Sequence, residues 1–306
     1  MTYRAADSNQ PLLVDITKFK RFCGRYYVTG LLAKPGKNDK CYWSITLSDA
    51  TCDFRVYCHS ADMISVIERP HQLIHIEASL DQYYGTAYFK CKQLERANSH
   101  NNIVVPLSTL PRSLCPKVAA FDDLIMLASE IQTPYLKSFL DEVLLQSQVA
   151  IRYLNAPASL NHHHNYPGGL IEHSVDTAWR LINEPEISKS DRDIAIVAGL
   201  LHDIGKTQTM TSDLRRTATG KLVDHDQLTL EICATAMSKL EKKASVFANQ
   251  LRHAWTCYSP NARFGFKPKT HIARLLQKSD RESAQGKKRS IPLPKTNDVF
   301  VAIRLS

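Results

Sequence analysis

No run of this 306-residue chain approaches the roughly 18 consecutive apolar residues that a membrane-spanning helix needs. Its first residues, MTYRAADSNQPLL, hold neither an apolar signal core nor a small-residue cleavage site, so a cytoplasmic protein with no membrane anchor is the expectation. Eight cysteines, at 23, 41, 52, 58, 91, 115, 233 and 257, include no CxxC pair, which argues against a zinc ribbon. They read as reduced thiols filling half-buried positions. GxSxG and Walker A sequences are also lacking, and with them the elbow nucleophile and the phosphate loop. There is no internal repeat and no low-complexity tract. Any metal chemistry here has to rest on histidine and carboxylates.

Hydrophobic residues make up 43% of the chain, which suits a globular protein long enough for two cores. The net charge of +9 is unevenly spread. Residues 1–106 carry 13 basic and 10 acidic side chains, and residues 281–306 carry 6 and 2, while the middle is nearly balanced. Basic ends around a neutral centre suggest a polyanionic partner held outside a catalytic site.

Residues 11 to about 105 have the two-residue alternation of strands. CYWSITLSD (41–49) puts Trp43, Ile45 and Leu47 on one face, and CDFRVYC (52–58) puts Phe54, Val56 and Cys58 opposite Arg55 and Tyr57. Further strands are expected at Tyr26–Ala33, Leu73–Ser79 and Thr86–Leu94, with a helix or loop at Ser60–Pro70 and a turn at Tyr83-Tyr84-Gly85. Five short strands match the small Greek-key barrel called the OB-fold. Pro106, Pro111 and Pro116 mark an irregular linker, 106–120. From there a helical period takes over, predicting helices at Asp122–Gln132, Pro134–Tyr153, Gly169–Asn183, Asp191–Asp203, His225–Lys243, Ala244–Cys257 and Lys269–Ser283. Asp191 reads as an N-cap and Pro134 as a first-turn proline. The expected architecture is an all-β OB-fold barrel (1–105), the linker, an all-α helical bundle (121–284) and a basic tail (285–306) with a strand-like end.

The chemistry concentrates in the helical part. AGLLHDIGK (198–206) ends an apolar helix in adjacent His202 and Asp203, followed by Gly205 and Lys206. A buried His-Asp pair is costly unless its charges find partners, and a divalent metal supplies one. An ordinary polar C-terminal cap is the plainer alternative. His173 in GGLIEHS, His225 in VDHDQLTLE, His253 in NQLRHAW and Asp280 in LLQKSDRES complete the order His…His-Asp…His…His…Asp. Each alone is more commonly a satisfied polar residue. Together they put about one such side chain on each helix, and a bundle can project them onto a shared centre. Four histidines and two aspartates exceed one metal's needs and suffice for two bridged by Asp203.

This ligand order resembles the HD phosphohydrolase superfamily. A longer stretch is similar to the YhaM-like 3′–5′ exoribonucleases, which join an OB-fold to an HD domain. The similar text is TPYLKSFLDEVLL (133–145), YLNAPASLNHHHNYPGGLIEHS (153–174) and AGLLHDIGK. The resemblance implies that His173, His202, Asp203 and Asp280 hold one metal, and that Asp203 bridges to a second held by His225 and His253. It implies a catalytic part for Asp203, with Lys206 on the substrate phosphate and His163 and His164 in phosphate or outer contacts. His162 has no counterpart role and reads as a solvated loop residue. Two departures stand out. His253 is followed by Ala254 where the family has a second histidine, and Asp280 is followed by Arg281-Glu282-Ser283-Ala284 where members often have Asn-Leu-Asp-Ala.

The function expected is a metal-dependent phosphodiesterase, a 3′–5′ exonuclease on single-stranded nucleic acid that favours RNA over DNA. Its cofactors would be two divalent ions, Mn²⁺ first, with Co²⁺, Fe²⁺ or Mg²⁺ as alternatives. Tyr42, Arg55, Tyr57, Tyr88, Lys90 and Lys92 are the barrel's candidate nucleic-acid contacts, joined by Arg252 near the site. A homo-oligomer is left open. The rival readings are an HD nucleotidase or cyclic-nucleotide phosphodiesterase, a relaxase-like HD protein acting on DNA, and a non-catalytic single-strand binding scaffold.

Overall fold

The computed structural model describes residues 10–36, 40–97, 105–257, 265–289 and 291. The chain divides into two compact units, with the boundary between Leu114 and Cys115.

The first unit is a closed five-stranded barrel of the OB type. Its strands are β1 (Arg21–Pro35), β2 (Cys41–Ser48), β3 (Asp53–Cys58), β4 (Leu73–Tyr83) and β5 (Thr86–Arg96), in the spatial order β1-β2-β3-β5-β4. Strand β1 is longer than its apolar run because it serves two partners. Arg21–Tyr27 pairs antiparallel with β4 and Tyr27–Pro35 with β2, with a bulge between Val28 and Gly30. Strand β3 meets β5 in parallel at Tyr57 and Lys90, which completes the ring. Alternation sends Ile45, Leu47, Val56, Cys58, Ile74, Ile76 and Phe89 to the interior. Phe22 and Phe54 meet Phe89 edge to face, both at 5.4 Å. The segment Ser60–Pro70 holds one short helix, α1 (Ala61–Ile64), capped by Ser60 Oγ.

Buried Asp49 closes the turn after β2. Its carboxylate accepts the backbone N–H of Leu13 at 2.7 Å and of Thr51 at 2.7 Å. The proline-marked stretch 106–120 is not the free linker its composition suggests. Two 3-10 turns, Leu107–Thr109 and Arg112–Leu114, lie on the barrel, where Ala50 N–H donates to Ser108 O and Arg112 N–H to Asp49 O. Proline breaks regular pairing there without freeing the chain, because Leu107 and Leu110 are buried.

The second unit is helical. Helix α2 (Val118–Glu130) begins four residues before the expected Asp122. Pro134 opens α3 (Pro134–Leu144) as anticipated, but the expected single helix to Tyr153 breaks at the polar run Gln146-Ser147-Gln148 and resumes as α4 (Ala150–Asn155). Helix α5 (Gly169–Ile182) is buried along almost its whole length and packs against α6 (Arg192–Leu201) and α9 (His271–Ala284). Asp191 precedes α6 but its side chain caps nothing. Its carboxylate accepts from Ser188 Oγ at 2.5 Å and faces His271 Nε2 at 3.2 Å. A short α7 (Lys206–Thr209) follows the His-Asp doublet. The two helices expected at 225–257 run as one, α8 (His225–Thr256), broken at Ala244 (φ −156°, ψ 70°).

All eight cysteines are free. Cys58, Cys91, Cys115 and Cys233 are buried and Cys52 and Cys257 half-buried, whereas Cys23 and Cys41 are exposed, contrary to the half-buried expectation, on the outward register of β1 and β2. The strand-like end expected of the tail lies outside the described residues. No described helix is long and apolar enough to cross a membrane.

Candidate metal centre

The site starts on α5. Leu170, Ile171, Val175 and Ala178 are fully or almost fully buried, and His173 shares their burial at 2% exposure. A buried imidazole needs partners at both nitrogens. Nδ1 of His173 lies 3.0 Å from Ser283 Oγ on α9. Nε2 faces His202 Nε2 at 3.2 Å, Asp280 Oδ1 at 3.1 Å and Asp203 Oδ2 at 3.3 Å.

The doublet reaches this point because α6 approaches α5 closely. A Cβ on Gly199 would stand 2.5 Å from Ala178 Cα, so only glycine permits the contact. His202 keeps helical backbone angles just past α6, and its Nδ1 lies 2.8 Å from Gly199 O. A carbonyl can only accept, so Nδ1 carries the hydrogen and Nε2 faces the cluster, 3.4 Å from Asp203 Oδ2 and 3.6 Å from Asp280 Oδ1. Gly205 is needed for the next step. A Cβ there would meet His225 O at 1.9 Å, where the turn presses on the start of α8. Thr229 Oγ1 ties the two together by accepting the Gly205 N–H at 3.1 Å. That packing sets His225 Nε2 3.1 Å from Asp203 Oδ1, while Lys206 Nζ contacts Asp203 Oδ2.

One donor atom from each of His173, His202, Asp203 and Asp280 lies within 4.8 Å of all the others. Burial pushes the Asp203 carboxyl up, but Lys206, His202 and His173 outweigh it and hold it well below the ordinary carboxylate range. Burial pulls His202 down, yet Asp203 and Asp280 outweigh that and raise it to about 10. Two largely desolvated carboxylates therefore retain a proton on an imidazole as a counter-charge. A divalent cation replaces that proton with a better match, and the imidazole–carboxylate set suits a transition ion. The residues fit a metal.

His253 was expected in this centre and is not brought to it. It follows the break in α8, and its Nε2 accepts the Lys269 N–H at 2.8 Å. Arg252 likewise turns away, pairing with Glu241 at 2.7 Å. Residue order assigns a side chain to a helix but not the direction in which it leaves a broken one.

A cavity of about 620 Å³ opens over the cluster, lined by the centre together with His162, His163, His164, Lys206 and His225 among others. The histidine loop is drawn tight. Ala158 N–H donates to His164 O at 3.0 Å, His164 has φ 61°, and a Cβ on Gly169 would stand 2.0 Å from His164 O. His164 Nδ1 lies 3.1 Å from the Tyr166 hydroxyl, which donates to Glu172 at 2.5 Å, and its ring centroid is 5.5 Å from that of His173. Lys117 lies 3.6 Å from Glu172 and 4.0 Å above the Tyr166 ring. The Glu172 carboxyl is held down at about 2, first by His164. His162 is exposed, as a solvated loop residue should be, with its N–H on Ser159 Oγ at 2.9 Å. Sequence reasoning missed Lys117, Tyr166 and Glu172. Only the last carried a signal, lying inside the GGLxEH motif.

On the barrel, the six proposed contacts do face outward. Tyr57 makes ring contacts with Tyr42 at 6.1 Å and Tyr88 at 5.8 Å, and Tyr42 stacks on His59 at 5.8 Å. Lys90 pairs across from Tyr57, and Arg55 and Lys92 are exposed. His59, just past β3, was not foreseen.

Comparison with known proteins matches residues 170–285 to the HD domain family. The chain is 22% identical over 210 residues to the 3′-5′ exoribonuclease YhaM of Bacillus licheniformis, covering 67% of this chain and 65% of that protein. It is 22% identical over 237 residues to the YhaM of Bacillus subtilis, covering 74% and 73%. The YhaM of Listeria monocytogenes serovar 1/2a is also 22% identical, with 66% and 64% covered. The chain thus spans just under two thirds of the length of the first and last of these relatives. It carries an HD domain behind an OB-type barrel, and at family level it resembles the YhaM exoribonucleases.

Proposed function

We propose that this protein is a metal-dependent phosphodiesterase that removes nucleotides from the 3′ end of single-stranded nucleic acid, favouring RNA over DNA. The observation that carries this reading is the buried cluster of His173, His202, Asp203 and Asp280 at the floor of a cavity edged by Lys206. A divalent ion there, Mn²⁺ first, would polarise a phosphate oxygen and supply a water acidic enough to attack near neutral pH. His225, on the other oxygen of Asp203, supports a second ion shared through that carboxylate. With His253 committed to Lys269, this chain offers the second ion fewer donors, so we expect it to bind more weakly.

The remaining work falls to the protein's own groups. Lys206, beside Asp203, is placed to offset charge building on the phosphate. His163 and His164, on the cavity wall, are suited to hold a phosphate oxygen at the entrance. The Tyr42, Tyr57 and Tyr88 rings, flanked by Arg55, Lys90 and Lys92, suit stacking of bases with basic side chains along the backbone. The 3′-to-5′ polarity and the RNA preference come from the resemblance to YhaM.

The test is a time course on 5′-labelled single-stranded RNA and DNA, with Mn²⁺ or chelator, and with or without a 3′ duplex block. A descending ladder that stalls at the block and stops with chelator is expected. Internal cuts that ignore the block would make it an endonuclease. Hydrolysis of mononucleotides alone would make it a nucleotidase, and inactivity with Mn²⁺, Co²⁺, Fe²⁺ and Mg²⁺ alike would leave a binding scaffold.

A further inference from the structure

Ser283 stands where the similar family often has a carboxylate, and it touches the candidate ligand His173. Its Oγ lies 3.0 Å from His173 Nδ1, and its other hydrogen-bond partner is the buried carboxylate of Asp176, one turn along α5 from His173. Asp176 in turn is held by two guanidinium groups. Arg180 Nε lies 2.9 Å from Oδ2, and Arg289 Nε contacts Oδ1. Arg180 also donates to Lys287 O, and Trp179 Nε1 donates to Ile291 O at 3.0 Å, so the chain just after α9 is fastened along α5.

Valence fixes the direction of these bonds. A carboxylate gripped by two guanidinium groups is ionised and can only accept. The single hydroxyl hydrogen of Ser283 therefore goes to Asp176, and its oxygen must accept from His173. That places a hydrogen on Nδ1 and leaves Nε2 as the ligating nitrogen, aimed at Asp203, Asp280 and His202. We infer that Ser283 and Asp176 are positioning residues that hold His173 in its metal-ligating tautomer, with Arg289 locking Asp176 from the segment after α9. Partners on the far nitrogen of ligating histidines commonly tune metal affinity in this way. The inference rests on the metal reading above, but the tautomer is measured without metal.

The experiment compares wild type, Ser283→Ala and Ser283→Thr in the full chain. Long-range ¹H–¹⁵N correlation on metal-free, histidine-labelled protein reads which nitrogen of His173 is protonated, and competition titration reads Mn²⁺ affinity. Wild type should carry hydrogen on Nδ1. Ser283→Ala should let it shift to Nε2 and weaken Mn²⁺ binding about 10- to 100-fold, with an unchanged thermal melt. Ser283→Thr, which keeps the hydroxyl, should restore both. A Ser283→Ala protein that keeps the Nδ1 hydrogen and binds Mn²⁺ within twofold of wild type overturns the inference, as does a wild type with Nδ1 bare. A wild type that shows the expected tautomer but binds no Mn²⁺ removes the ligating role and the proposed function, while the hydrogen-bond relay stands.

Discussion

Asp203 is the one residue that touches every other member of the centre except Asp280: both neighbouring histidines, His225 and Lys206. Asp203→Ala should therefore abolish metal binding altogether. His225→Ala should remove chiefly the weaker ion, and His253→Ala should leave metal content unchanged because that imidazole holds Lys269 instead. Elemental analysis after Mn²⁺ saturation checks all three, and loss of metal in His253→Ala would contradict the geometry. A different residue sets a pH dependence away from the site. Asp141 on α3 is 6% exposed, and burial raises its carboxyl to about 7. Its folded pKa lies above its unfolded value of about 4, so the native state holds the extra proton between those limits. The stability tied to that proton is fully present below about pH 4 and is lost as pH rises through about 7. Asp141→Asn should then be more stable than wild type at pH 8 by about 2 kcal/mol, with the gain vanishing near pH 4. Urea denaturation at both values decides it, and an equal difference at both would refute the titration.

At the scale of elements, the contact between α5 and α6 brings His173 to His202. Gly199→Ala must push Ala178 away, and we expect a loss of about 2 kcal/mol from overpacking together with weaker metal binding. Chemical denaturation and Mn²⁺ titration of the same variant test both, and a variant with wild-type values would mean that the helices yield elsewhere. This contact also explains what could be read in advance. His173, His202, Asp203 and Asp280 were legible because each sits on or at the end of a strongly apolar helical stripe, so the pattern itself turned them inward. His253 misled because a helix break at Ala244 has no sequence mark: no glycine or proline stands there. Ser283 and Asp176 escaped notice since two polar residues far apart in the chain reveal a shared hydrogen bond only once α5 and α9 are packed. In the barrel, alternation gave the faces of β2 and β3 correctly, whereas the ends of β1 depend on two partner strands and not on its own residues. The linker failed for a related reason, because proline reports broken pairing and not the burial of Leu107 and Leu110.

At the scale of the whole molecule, substrate grip and chemistry reside in separate units, so they should separate by mutation. Tyr42→Ala with Tyr57→Ala should weaken single-strand RNA binding by about 1–3 kcal/mol per lost stack, while hydrolysis of bis-p-nitrophenyl phosphate stays at the wild-type rate. Fluorescence anisotropy at several salt concentrations measures the first, and the remaining affinity should still fall steeply with salt as phosphate contacts release counterions. Unchanged RNA affinity would deny the outer face of the barrel any part in binding. The double pairing of β1 also bears on how the protein is made. The Tyr27–Pro35 half of that strand can zip onto β2 as soon as Ser48 is synthesised, but Arg21–Tyr27 has to wait for Leu73–Ser79. Throughout that interval the nascent chain presents an open strand edge beside the apolar side chains of Phe22 and Tyr26, the kind of template that recruits neighbouring chains. The barrel is therefore the part of this protein whose yield should depend most on translation speed and on chaperones that cover nascent edges.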